Sequence, residues 1–247
     1  MTDKFKLQND QYKFPYHHIP YFREDGTPMR IRFLGWGMDY LCYMKHIRDM
    51  ITELKPESIL DAGCGDGYFL RSLGSLPACK LGVDLSKEAI RFAQAFHSEE
   101  IYRCIDAALL DEQFDIVTAI EVLEHIPDDN VASFVQTLYN RTKPGGHLIV
   151  SVPSTVLPLS AKHYRHYDKK LLERHVHMGQ RQWKTLEMVS LFSGEDIFYS
   201  LFMRLTNNRF WTFESPFLNK LIWRRLWQRR ITPDSGYHII GVFRKIS

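Results

Sequence analysis

The chain has 247 residues, of which 45% are hydrophobic and 25% charged, with a formal net charge of +3 at pH 7. A charged fraction typical of globular proteins excludes disordered and collagen-like chains, and the small net charge alone gives no reason to expect nucleic-acid binding. No apolar run reaches the roughly 18 residues that a membrane-spanning helix needs, and the charged first ten residues predict no signal peptide.

Residues 1–57 are predicted to form an arm and a helix that cover the functional site. Aromatic and turn residues are frequent up to residue 37, which predicts an ordered arm without regular elements. A 3.6-residue period of apolar side chains over 38–54 predicts a helix, which Pro56 ends.

Residues 58–153 alternate between strand and helix patterns. Five strands are predicted, at 58–62, 80–85, 101–105, 114–121 and 147–152. Helices are predicted between them, over 68–73, 87–96 and 129–141. This alternation is typical of right-handed βαβ units and predicts a parallel sheet in an α/β fold.

The rhythm changes after residue 153. Asp168 is predicted to cap a helix that runs to residue 176. Two more strands are predicted over 183–192 and 237–244. The residues between them, about 195–235, form an insertion rich in aromatic residues and arginines.

A glycine-rich segment, I-L-D-A-G-C-G-D-G at 59–67, lies between a predicted strand and a predicted helix. Glycines there let the backbone turn sharply and approach a ligand closely. Asp84 ends the next predicted strand, where a carboxylate can accept hydrogen bonds from both ribose hydroxyls of a nucleoside. No lysine follows the glycines as in a P-loop, and Asp61 and Asp66 would repel a pyrophosphate. The pattern therefore favours a nucleoside that carries an ammonium or sulfonium group.

Several motifs together resemble those of class I S-adenosylmethionine-dependent methyltransferases. They are D-A-G-C-G-D-G at 61–67, G-V-D-L-S at 82–86, C-I-D-A at 104–107, E-V-L-E-H at 121–125 and K-P-G-G-H-L at 143–148. The resemblance implies a doubly wound, Rossmann-like α/β fold over 58–247. Its seven-stranded sheet would be mostly parallel, with the last strand antiparallel.

The resemblance also implies S-adenosylmethionine as the cofactor and assigns eight residues to it. Those placed beside its amino-acid portion, ribose and adenine are Asp61, Gly63, Gly65, Glu121, Asp84, Leu85, Asp106 and Ala107. In this assignment Asp84 holds the ribose, whereas Asp106 and the backbone of Ala107 read the edge of the adenine.

Methylation of a hydroxyl requires that the acceptor lose its proton, to a histidine or with the help of a metal. The predicted catalytic residues are His125, in E-V-L-E-H, and His163 and His166, in a K-H-Y-R-H-Y-D segment similar to that of glycan-associated bacterial methyltransferases. E-V-L-E-H is similar to segments of ubiquinone-pathway and small-RNA methyltransferases in which these side chains bind a divalent metal. The favoured prediction is a site without metal, and the alternative metal ligands are Glu121, Glu124, His125 and His163.

The insertion is locally basic. From Arg204 to Arg230 it has seven basic residues and one acidic residue, Glu214, which gives a local charge of +6. Arginine with tryptophan on a short helix suits an anionic membrane surface, a phosphate-bearing lipid or RNA. Arg225 and Arg229 interrupt the apolar face that a membrane-binding helix would need. The alternative to these partners is a lid or dimer surface whose aromatic side chains pack inward.

The sequence therefore predicts a methyltransferase that forms an O-methyl group on a small molecule, a glycan or a lipid-linked intermediate. The alternatives are a metal-dependent RNA 2′-O-methyltransferase, with nucleic acid the less favoured partner, and a non-catalytic cofactor-binding protein. Four cysteines without a C-x-x-C pair predict reduced thiols and a cytoplasmic location, with peripheral contact at the inner membrane surface as an alternative. No oligomeric state is predicted.

Overall fold

The computed structural model describes residues 3–9, 20–22, 25–26, 28–30, 37–96, 101–178, 182–194, 196–208, 210–211, 213 and 215–246. Across these ranges, no helix has the length and apolar character needed to cross a membrane.

The helices of the structure coincide with the predicted helices, and further helices are present at 3–9, 197–206 and 216–228. In chain order they are α1 (Asp3–Asn9), α2 (Gly37–Leu54), α3 (Tyr68–Ser72), α4 (Lys87–Phe96), α5 (Asp128–Arg141), α6 (Lys169–Val176), α7 (Ile197–Thr206) and α8 (Pro216–Gln228). The predicted cap of α6 is present, since the Leu171 amide donates to Asp168 at 2.6 Å.

Ten strands are present. They are β1 (Pro20–Phe22), β2 (Pro28–Arg30), β3 (Ser58–Ala62), β4 (Cys79–Asp84), β5 (Ile101–Cys104), β6 (Phe114–Ile120), β7 (Thr142–Pro153), β8 (Trp183–Leu191), β9 (Ile231–Thr232) and β10 (His238–Lys245). The strands β3 to β10 form one sheet in the order β5-β4-β3-β6-β7-β10-β8-β9. Strands β3 to β7 are parallel, whereas β10 lies antiparallel between β7 and β8.

Two predictions about the elements need correction. The main sheet has eight strands rather than seven, because β9 pairs with the end of β8 inside the predicted insertion. The arm contains regular elements, namely α1 and the antiparallel pair of β1 and β2. Elements this short are too brief to show a period in the sequence. The other parts of the predicted arm, at 1–2, 10–19, 23–24, 27 and 31–36, lie outside the described residues.

Apolar side chains cover both faces of the main sheet. Neighbouring residues of β6 point to opposite faces, so that Val117 packs in the cluster that contains α5 and α6, and Ile116 in the cluster that contains α2, α3 and α4. This two-sided packing confirms the doubly wound α/β fold. A third cluster joins α2 to α7 and α8. The fold thus leaves the carboxyl ends of the parallel strands as the edge where loops meet.

Candidate functional site

The loop after β3 adopts a backbone that only glycine accommodates readily. Gly63, Gly65 and Gly67 have φ angles of 87°, 55° and 77°. A Cβ on Gly63 would lie 2.6 Å from a methyl group of Val122, and one on Gly67 would lie 2.7 Å from the Tyr102 ring. Positive φ angles and close neighbours together explain the glycines of the motif.

Asp84, at the end of β4, is hydrogen-bonded to this loop. Its carboxylate accepts from the Gly65 amide at 3.0 Å and from the Ser86 amide at 2.8 Å. Burial raises the pKa of Asp84, although these hydrogen bonds oppose the rise. The structure therefore brings Gly65 and Asp84 together at adjacent strand ends.

Asp61 lies below the same loop and is almost inaccessible. The Thr118 hydroxyl donates to its carboxylate at 2.7 Å. Burial nevertheless raises the pKa of Asp61 to about 7. The charges of its neighbours Asp84 and Asp66 contribute to this rise, so this edge of the sheet concentrates acidic groups.

The residues predicted to contact adenine follow β4 and β5. Leu85 is 58% exposed directly after β4. Asp106 accepts a hydrogen bond from the Ala108 amide at 2.8 Å and caps a short 3-10 turn. Ala107 has its side chain in the core.

Glu121 follows β6 and is held by one residue each of β7 and β10. The Ser151 hydroxyl donates to one oxygen at 2.9 Å, and Nδ1 of His238 lies 3.2 Å from the other. Nε2 of His238 lies 3.6 Å from Asp39. Burial alone would lower the pKa of His238, but the charges and hydrogen bonds of Glu121 and Asp39 outweigh it and raise the pKa to about 10. Sequence reasoning missed His238 and Asp39, which belong to no motif.

Glu124 and His125 lie on a short 3-10 turn directly after Glu121. Glu124 is 1% exposed, and within the part of the chain that the structure describes its Oε2 has no hydrogen-bond partner. Burial, together with the charge of Glu121, raises the pKa of Glu124 well above its usual range. Nδ1 of His125 lies 3.2 Å from the Lys162 carbonyl oxygen, which requires Nδ1 to be the donor. Its Nε2 is then an unprotonated atom, 3.7 Å from Glu124.

A second pair of histidines completes this cluster. Nδ1 of His166 lies 3.1 Å from the Leu157 carbonyl oxygen and is therefore a donor. Nε2 of His166 then accepts from Nδ1 of His163 at 2.8 Å, which leaves Nε2 of His163 unprotonated. Both nitrogens of His166 are thus engaged, and it orients His163. Burial is the main cause that lowers the pKa of His163 to about 3 and that of His125 to about 4.

The donor atoms of three residues converge. One atom each from Glu124, His125 and His163 lie within 4.8 Å of one another. Of the four residues predicted as an alternative metal site, the structure groups these three, while Glu121 pairs with Ser151 and His238.

The segment that carries His163 is fixed against the turn that carries Glu124. Arg165 donates to the carbonyl oxygens of Leu123 at 2.8 Å and Ile126 at 2.6 Å. From α1, Lys4 donates to the carbonyl oxygen of His163 at 2.6 Å. That Arg165 joins the two segments does not follow from the sequence motifs.

The chain is similar to known methyltransferases in sequence and in fold. A methyltransferase domain model matches residues 39–197. A ubiquinone biosynthesis O-methyltransferase of Thiobacillus denitrificans is 30% identical over 198 residues, which cover 74% of this chain and 73% of that protein. One from Cupriavidus pinatubonensis is 38% identical over 111 residues, and there the chain spans only 44% of the relative's length. The fold also resembles that of the N-methyltransferase NodS of Bradyrhizobium japonicum, solved with S-adenosyl-L-homocysteine. The superposition covers 100% of both chains, with a TM-score of 0.62 and 13% sequence identity.

We expect replacement of His238 by glutamine to destabilise the protein in a pH-dependent way. Its pKa of about 10 lies above the usual value of a histidine, so the stability that the charged ring contributes is complete below pH 6.5 and is lost as the pH rises through 10. Breaking a buried ion pair costs about 3 kcal/mol. Urea unfolding of wild type and variant at pH 6 and pH 10 measures this difference, and an equal loss at both pH values would contradict a charged His238.

Proposed function

We propose that this chain, which belongs to the class I S-adenosylmethionine-dependent methyltransferases, transfers the methyl group of its cofactor to a hydroxyl of a small molecule. The observation that carries the proposal is the convergence of one atom each from Glu124, His125 and His163. Both histidines have an unprotonated Nε2. This cluster follows β6, beside the strand that leads into the glycine loop, where a second substrate binds in open α/β sheets. The relatives named as O-methyltransferases support a hydroxyl acceptor on a small molecule rather than on a glycan or a lipid-linked sugar.

In this proposal, one part of the carboxyl edge of the sheet binds the cofactor and another part assists loss of the acceptor proton. The glycine loop and Asp84 bind the cofactor, Leu85, Asp106 and Ala107 enclose its adenine, and Asp61 and Glu121 lie near its sulfonium end. The sulfonium is already electrophilic, so the protein mainly aligns the two substrates and excludes water. What remains is the proton of the acceptor, and the histidine cluster lies where that proton must leave.

Methyl transfer itself tests the acceptor class. Incubation with cofactor labelled in its methyl group should give labelled ethers from a panel of catechols, phenols and aliphatic alcohols, with amines and RNA as comparison acceptors. His163→Ala should lower kcat by at least about 100-fold, because it removes a residue of the cluster that assists loss of the acceptor proton as a base or as a ligand of a cation. It should leave the affinity for S-adenosylhomocysteine unchanged. Label found only in amines or in RNA would contradict the proposal, and no transfer to any acceptor would favour a non-catalytic protein.

Asp84→Ala should weaken S-adenosylhomocysteine binding by about 100-fold, the loss expected when hydrogen bonds to a charged acceptor are removed. Titration calorimetry measures the affinity. Asp129→Ala, which removes an exposed carboxylate from α5, is the matched control and should bind as wild type does. Unchanged binding by a folded Asp84→Ala protein would contradict the assignment to the ribose.

A divalent cation at the same cluster is a second part of the proposal, and it departs from the prediction of a site without metal. The residues fit such an ion because the buried Oε2 of Glu124 lacks a partner among the described residues, and an unpaired buried carboxylate is costly. The backbone carbonyls that fix Nδ1 of His125, and through His166 that of His163, are supports typical of metal-binding histidines. When bound, the cation would lower the pKa of the acceptor hydroxyl.

Glu124→Gln separates this proposal from a merely structural role of the carboxylate. The variant should unfold at the same temperature as metal-free wild type or at a higher one, because burial already keeps the Glu124 carboxyl protonated and the amide adds no charge. It should also lose at least about 100-fold in affinity for Mn²⁺, measured by calorimetry with S-adenosylhomocysteine present. Glu53→Gln, an exposed site on α2, is the control. Equal Mn²⁺ binding by wild type and Glu124→Gln would contradict a cation at this cluster.

A further inference from the structure

The helical hairpin of α7 and α8, with the turn between them, carries a large exposed apolar surface. Nine large apolar side chains on it are exposed by 52% to 76%. They are Ile197, Phe198, Leu201, Leu205, Phe210, Trp211, Phe213, Phe217 and Leu221. Soluble proteins rarely leave so many neighbouring apolar groups in water, so this surface calls for an occupant.

The exposed groups lie on the outer side of the hairpin. Both helices bury one face in the same cluster, α7 through Tyr199 and α8 through Trp223 and Leu226. On α7 the exposed residues Ile197, Leu201 and Leu205 recur at every fourth position, which places them along one stripe. The outer faces of the two helices therefore point away from the cluster together.

The turn between the helices holds its aromatic rings outward. The Phe213 amide donates to the Thr206 carbonyl oxygen at 2.7 Å, and the Asn208 amide to that of Trp211 at 3.0 Å. Nε1 of Trp211 donates to the Leu205 carbonyl oxygen at 2.9 Å. Because the indole donor is satisfied inside the protein, this ring can enter an apolar medium without leaving a polar group unpaired.

The arginines that interrupt the apolar arc in the sequence do not interrupt the surface. Nε of Arg225 lies 2.9 Å from Asp196, and Nη1 of Arg229 lies 3.8 Å from the same carboxylate. The Arg225 guanidinium also lies 4.3 Å from the centre of the Phe198 ring. Arg225 is thus taken up in the contact between the two helices.

Exposed basic residues border the apolar stripe. Arg204 is exposed on α7 and Arg224 on α8. Asp196 is the one acidic residue in the described part of 196–230, and it is already paired with arginines. An apolar face bordered by basic residues complements the surface of an anionic lipid bilayer.

Other occupants fit this surface less well. In a dimer through this surface, Arg204 and Arg224 would approach the same arginines of the second copy. Asp196 could not offset that repulsion, because it already pairs with Arg225 and Arg229. RNA would use the arginines and aromatic rings, but the aliphatic side chains of Ile197, Leu201 and Leu205 offer bases nothing to stack on.

We propose that the α7–α8 hairpin is a docking surface for anionic membranes, with its apolar face at the boundary between headgroups and acyl chains. The inference is independent of the proposed acceptor, since the surface is the solvent-facing side of the hairpin and includes none of the site residues. The hairpin lies on the membrane in this arrangement and does not cross it.

Sedimentation with vesicles tests the proposal on the full chain. The protein should bind vesicles of phosphatidylcholine with 30% phosphatidylglycerol and leave pure phosphatidylcholine largely unbound. Leu201→Ser with Phe217→Ser should weaken binding at least 10-fold, because two large apolar groups no longer enter the bilayer. Arg204→Glu with Arg224→Glu should weaken it by at least about five-fold for each position.

Matched controls distinguish this surface from general charge or apolar effects. Lys170→Glu with Lys184→Glu makes the same charge change at exposed sites elsewhere, and Leu186→Ser removes a 46% exposed leucine from β8. These variants should bind as wild type does. The proposal is overturned if wild type ignores both kinds of vesicle or if hairpin variants and controls bind alike. A dimer in sedimentation velocity that Leu201→Ser with Phe217→Ser dissociates, or salt-sensitive RNA binding without vesicle binding, would assign the surface to those partners instead.

Discussion

The burial of acidic side chains at the carboxyl edge of the sheet is the constraint on which the site depends. Asp61, Asp84, Glu121 and Glu124 all lie there, and an ionised carboxylate without water needs hydrogen bonds or a positive charge. A threonine hydroxyl supports Asp61, backbone amides support Asp84, and a serine with His238 supports Glu121. Glu124 is left without such support at Oε2 among the described residues. This balance favours positively charged ligands at the edge, and the sulfonium of the cofactor is one.

The antiparallel strand explains how a histidine reaches this edge. Parallel strands present their last residues at the carboxyl edge, whereas an antiparallel strand between them presents its first. His238 begins β10 and pairs in register with Pro153, near the end of β7, and with Leu191 of β8. The reversed direction of β10 therefore supplies the buried cation that the parallel strands do not provide. The positive charge of His238 also explains why Glu121 can be ionised in the interior, although the acidic Glu124 lies close by.

Local patterns predicted most of the sheet and the cofactor loop, because strand periods, glycine conformations and helix caps depend on neighbours in sequence. The loop at Gly63 and the cap at Asp168 are examples. The contacts of His238 and Arg165 could not be predicted in this way, since each joins segments far apart in the chain. The same limit applies to Arg225. In the sequence it interrupts the apolar face of a helix, whereas in the structure its pairing with Asp196 takes it out of that face.

The histidine tautomers link the shape of the site to its chemistry. The carbonyl oxygens of Lys162 and Leu157 accept hydrogen bonds from Nδ1 of His125 and of His166. Nε2 of His125 and, through His166, Nε2 of His163 therefore carry a free lone pair before any ligand binds. Bases with pKa values as low as those of His125 and His163 give little driving force for removing a hydroxyl proton. Glu124 alters this balance, because a cation that binds there replaces a proton that burial holds on the carboxyl. Cation affinity at the cluster must therefore rise with pH until Glu124 is ionised without it.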